Sequence, residues 1–134
     1  MPHVVIHYTA NLGPGDAMGA LCKALAEVIV AQRDAAGQRV FPIGGTRVLA
    51  YPASDFAVAD GGADRAFVYL NVRIAAGRPS AAVKATGEAL LAAVQQHFAA
   101  IFASRPIGIT LQVDEGAPAF DAKHSNLHPL FEGR

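Results

Sequence analysis

At 134 residues the chain has room for one domain, taken here as a single unit over 1–134, which excludes a multidomain enzyme. Eleven Lys and Arg balance eleven Asp and Glu, so there is no basic field to hold a nucleic-acid backbone. The 52% hydrophobic content includes 28 alanines, which carry little apolar area each, so the domain is expected to lean on partner subunits to complete its burial.

No apolar run approaches the roughly 20 residues that a bilayer span needs, and Met1-Pro2-His3 lacks the basic start of a signal peptide. A cytoplasmic protein with no membrane partner is the expectation. Cys22 stands alone, without zinc-ligand spacing, and reads as a small hydrophobe on a helix.

His3 to Thr9 (HVVIHYT) is short and rich in β-branched and aromatic residues, which predicts a first strand. Asn11 to Gly15 is turn chemistry, and Asp16 is placed to cap the helix that follows. Met18, Leu21, Cys22, Leu25, Val28 and Ile29 recur at helical spacing, predicting an amphipathic helix that ends near Ala36-Gly37.

Thr46 to Tyr51 reads as a second strand, joined to the first by a parallel crossover, and Pro52 to Asp64 as a long polar turn. Ala66 to Ile74 is a third strand. Ser80, with Pro79 just outside, is expected to cap a second helix whose buried stripe runs Val83, Gly87, Leu90, Leu91, Val94, Phe98, Ile101, Phe102. Ile107 to Val113 is the fourth strand, and the tail from Glu115 is punctuated by Pro and Gly.

The order is βαβ followed by βαβ, with halves of about 2–60 and 61–134. His3 to Ala66 is an offset of 63, Asp16 to Ser80 of 64 and Thr46 to Ile107 of 61. Such a repeat predicts an α/β (α+β) fold, a four-stranded sheet with pseudo-twofold symmetry and both helices on one face. The other face then needs a cover, and other copies of the chain are the economical one.

Long catalytic motifs are absent: no GxGxxG after a strand, no Walker sequence, no G-x-S-x-G and no HExxH. His124 and His128 are four apart, but the segment runs into Pro129 and no carboxylate or Cys completes a metal set. Attention falls on Met1-Pro2. Removal of Met1 would leave a rigid secondary amine at the start of a strand, able to act as base or nucleophile once burial or a nearby cation lowers its pKa. Where Met1 is retained, that nitrogen is an amide without basicity. The matching position of the second half holds Arg65, so only the chain start can offer an amine.

Met1-Pro2-His3, Phe41-Pro42-Ile43-Gly44-Gly45-Thr46-Arg47, Ala66-Phe67-Val68, Ile74 to Arg78, Gln96 to Ala100 and Asn126 to Phe131 occur along nearly the whole chain. With them the sequence resembles the tautomerase superfamily and, within it, the 5-carboxymethyl-2-hydroxymuconate Δ-isomerase family. The resemblance implies a tautomerase-like homotrimer with active sites near subunit contacts, no metal or cofactor, and Pro2 as base. It implies substrate carboxylates held by Arg47 and Arg78, whose planar fork suits bidentate binding and dienolate stabilisation. His3, beside Pro2, is read as shaping the substrate site rather than as a metal ligand. The implied substrate is 5-carboxymethyl-2-hydroxymuconate, a small carboxylate from homoprotocatechuate breakdown.

Two departures stand out: Gln32 to Val40 is longer and more charged than the family pattern, and Arg73 stands where a lysine is expected. The alternatives are another superfamily substrate, or a non-catalytic trimer that binds small acids or serves assembly.

Overall fold

The computed structural model describes residues 1–13 and 17–134, so the expected Asp16 cap lies outside the described residues. Four strands, β1 (His3–Thr9), β2 (Arg47–Ala53), β3 (Ala66–Ala75) and β4 (Ile107–Gly116), form one sheet in the order β2-β1-β3-β4. β1 runs parallel to β2, β3 parallel to β4, and β1 antiparallel to β3 at the centre. The helices α1 (Met18–Ala31) and α2 (Ser80–His97) each bridge a parallel pair, and a short α3 (Ala99–Ser104) follows α2. This is the duplicated β-α-β arrangement that the repeat predicts, with the mixed sheet of the tautomerase-like fold that the resemblance implies.

Alternation along the strands decides which face is covered. Val4 and Ile6 of β1, and Val68, Leu70, Val72 and Ile74 of β3, are buried under the helices. They meet Leu21, Leu25 and Ile29 from α1 and Leu90, Val94 and Phe98 in and after α2 in one core. The opposite face carries rows set by register: Leu49, Val5, Asn71 and Gln112, then Tyr51, His7, Tyr69 and Thr110. Leu49 and Tyr51 remain 49% exposed there, and the His7 and Tyr51 rings stack at 5.8 Å between centroids.

Several boundaries differ from the sequence reading. α1 ends at Ala31 rather than near Gly37, because Gln32 is already extended and the next residues form a tight turn. The Asp34 carboxylate accepts from the Ala36 and Gln38 amides at 2.9 Å each, and Gly37 takes φ +77°, which a helix cannot use. β2 runs on to Ala53 through Pro52, which an edge strand tolerates, and β3 and β4 extend to Ala75 and Gly116.

Ser80 is the first helical residue of α2 rather than its cap. Pro79 takes the cap position, and its carbonyl accepts from Ala82 and Val83. The helix expected to run through Phe102 breaks at Phe98, which leaves the helical region to bury its ring. Leu91 and Phe102, expected in the buried stripe, are 38% and 68% exposed. Among the described residues no helix is long and apolar enough to cross a membrane.

Candidate active site

An antiparallel centre flanked by parallel partners brings the starts of β1 and β2 to the same sheet end as the finishes of β3 and β4. Residues 2, 47, 73, 78 and 116 are distant in sequence and close in the fold for this reason. Arg65, the counterpart of Pro2 in the second half, lies at the opposite end, paired with Asp60 and Asp64.

Pro2 is buried, and its carbonyl accepts the Arg47 amide at 3.1 Å, tying the chain start to the first residue of β2. Its neighbour His3 is exposed and sits across from Arg47 on one side and Arg73 on the other. Met1 covers this corner. Its side chain rests on Gly45, where a β-carbon would come within 2.7 Å of the Met1 Cγ, so position 45 must stay bare for that contact.

Arg47 follows a 3-10 turn, Ile43–Gly45, and its Nη1 donates to the Gly44 carbonyl at 2.6 Å. That turn is backed by a second one, His128–Phe131, from the tail. A β-carbon at Gly44 would meet the His128 Nδ1 at 2.9 Å, so the two turns touch backbone to ring. Arg78 follows Gly77, whose φ of +110° is open to glycine and strained for an L side chain. Arg78 Nη1 donates to the Ala75 carbonyl at 3.0 Å, and its Cζ lies 4.6 Å from the centroid of the buried Phe41 ring. Among the described residues, neither arginine is in an ion pair; those pairs are Arg65 with Asp60 and Asp64, Lys84 with Glu88, and Lys123 with Asp121. Each guanidinium therefore keeps donors for a ligand.

The electrostatics favour neutral bases. The amino group at Met1 is held below its ordinary value, first by burial and then by the positive fields of Arg78 and Lys123, with Asp121 opposing. His3 is lowered by partial burial, then by Arg47, the terminal amine and Lys123, again against Asp121. Beside them is a small cavity of about 140 Å³, lined by Met1, His3, Arg73, Gly116, Asp121 and Lys123 among others. Among the described residues no three His, Cys, Asp or Glu side chains are grouped to hold a metal ion.

All four residues singled out from the sequence thus meet at one corner. Phe41, Arg73 and Lys123 were not given roles in it. Phe41 has a signal in lying just before the glycine turn, and Arg73 in standing where the family pattern has a lysine, whereas Lys123 in the tail has none.

The family model of 5-carboxymethyl-2-hydroxymuconate isomerase matches residues 2–131. The chain belongs to that family. Membership makes it an isomerase. A crystal structure of a 5-carboxymethyl-2-hydroxymuconate delta-isomerase superposes with a TM-score of 0.93 at 45% identity, covering 98% of this chain and 93% of the other. The Escherichia coli 5-carboxymethyl-2-hydroxymuconate Delta-isomerase is 29% identical over 98% of this chain and 100% of its own length. More distantly, a fused 4-OT wild-type symmetric trimer matches with a TM-score of 0.59 at 26% identity, over 98% of both chains.

Proposed function

We propose that the chain isomerises 5-carboxymethyl-2-hydroxymuconate, with Pro2 as the base once Met1 is removed and Arg47 and Arg78 as carboxylate and dienolate ligands. Removal of Met1 moves the α-amine one residue inward, onto a buried ring between Arg47 and the corner where Arg78 acts. From the 2-hydroxy form that amine takes the hydroxyl proton and returns it to the far carbon of the diene; from a 2-oxo form it takes an allylic proton and returns it two carbons away. Between the two transfers the charge is spread as a dienolate, which a guanidinium fork stabilises through its oxygen. One proton leaves and one returns, so the reaction balances without electron transfer.

The observation that carries this reading is the pair of arginines that have no carboxylate partner among the described residues, each braced on a backbone carbonyl and both beside the chain start. His3, opposite Arg47 and neutral in that field, is read as shaping the substrate site. A single domain acting as a homotrimer is the assembly proposed. The half-exposed Leu49 and Tyr51 on the open sheet face support it, and so does the symmetric trimer among the structural neighbours.

The test follows ultraviolet absorbance of 5-carboxymethyl-2-hydroxymuconate with protein whose intact mass lacks Met1. Rapid conversion, lowered about 10²-fold or more in kcat by Pro2→Ala, is expected for a general base. Turnover that survives in protein retaining Met1, or that Pro2→Ala leaves intact, removes Pro2 from the mechanism. Absence of turnover in the processed protein returns the choice to another substrate or to a non-catalytic small-acid-binding trimer.

A further inference from the structure

The proposed substrate carries three carboxylates: two belong to the muconate chain and one to the carboxymethyl arm. Arg47 and Arg78, the ligands proposed above, can hold the two carboxylates of the muconate chain, the one at the 2-hydroxy end together with the adjoining dienolate oxygen. A third anionic group buried against this corner needs its own partner, since an unpaired charge brought out of water is costly.

Two cationic side chains, Arg73 and Lys123, line the small cavity together with the imidazole of His3. Lys123 is already paired with Asp121, which lines the same cavity. His3 is held toward its neutral form. Arg73 is in none of the ion pairs among the described residues. Its cross-strand neighbour Asp114 is engaged elsewhere, accepting from the Asn71 Nδ2 at 2.5 Å.

The guanidinium of Arg73 lies close to Gly116, where a β-carbon would collide with Nη2 and stand 2.7 Å from Cζ. Arg47, His3 and Arg73 occupy one level of the sheet on three neighbouring strands, so the guanidinium of Arg73 belongs to the same end as the other two arginines. The cavity it lines, about 140 Å³, is well below the roughly 300 Å³ of a whole small-molecule pocket, which suits one short acidic arm. Met1 is part of its wall, so removal of Met1 is expected to open the cavity toward the Pro2 nitrogen.

We infer that Arg73 binds the carboxymethyl carboxylate of the substrate and sets the preference of this site for a tricarboxylate over a dicarboxylate. The inference rests on the functional reading above. Arg73 is a specificity residue and takes no part in proton transfer.

The experiment compares kcat/KM of the processed wild type, Arg73→Gln and Lys123→Gln on 5-carboxymethyl-2-hydroxymuconate and on 2-hydroxymuconate, which lacks the arm. Loss of a charge-assisted contact predicts that Arg73→Gln lowers kcat/KM for the tricarboxylate about 10-fold or more, mostly through KM. The value for 2-hydroxymuconate should change less than about 2-fold, because the contact is absent there. Arg73→Lys should restore part of the loss, and sedimentation together with thermal unfolding checks that each variant keeps the wild-type assembly. Equal losses on both substrates, no loss, or a selective loss confined to Lys123→Gln overturns the inference while the functional reading stands. Wild-type protein inactive on both overturns the functional reading and the inference with it.

Discussion

The Arg78 guanidinium stacks over the Phe41 ring, 4.6 Å from its centroid, although the two residues belong to different halves of the repeat. The ring is 1% exposed, so its face is shielded from water and the cation–π attraction is less diluted than at a surface. With the Ala75 carbonyl on one side, this contact fixes where the remaining donors of Arg78 point.

Phe41→Leu keeps most of the buried apolar volume and removes the aromatic face. A loss of about 0.5–2 kcal/mol in the stacking contact should lower kcat/KM on the carboxylate substrate by about 2- to 30-fold. Steady-state kinetics beside a thermal unfolding curve measures it. Unchanged kcat/KM would mean that the Ala75 carbonyl orients Arg78 unaided.

The pH profile of kcat/KM reports the free enzyme's base. An amine accepts a proton only when neutral, so activity should rise with pH and level off above its pKa. Burial, Arg78 and Lys123 hold the Met1 amino group below its ordinary value; the Pro2 amine left when Met1 is removed belongs to the same corner, so the rising limb is expected below the α-amino range of about 8. The same depression means that the unfolded chain binds the proton more readily, so stability is present above the ordinary value and is lost as pH falls through the folded one. A limb at or above the ordinary value would show that the amine does not feel this corner.

Leu70 is fully buried on β3, between the helices and the sheet centre, and belongs to the single core. Leu70→Ala should cost about 2–5 kcal/mol through lost burial and a residual cavity. Denaturant unfolding at fixed protein concentration checks this, since self-association would shift the midpoint. A loss under about 1 kcal/mol would mean that neighbouring side chains collapse into the space.

The sequence by itself determined the four strands, the two main helices and the repeat, because alternation and 3.6-residue periodicity are local properties of HVVIHYT, AFVYLNV and the α1 stripe. It also pointed to Pro2, Arg47 and Arg78, partly through resemblance and partly through what an amine and a guanidinium can do. Element ends were decided by tertiary structure. α1 stops at Ala31 where the Asp34 turn takes over, and α2 breaks so that Phe98 can enter the core while Leu91 and Phe102 stay outside. Only strand order and register could place Arg73 beside His3, Gly116 under Arg73 and Phe41 beneath Arg78. Those neighbours are 25 or more residues apart, and no local pattern encodes a contact that exists only after β1 and β3 pair antiparallel at the centre of the sheet.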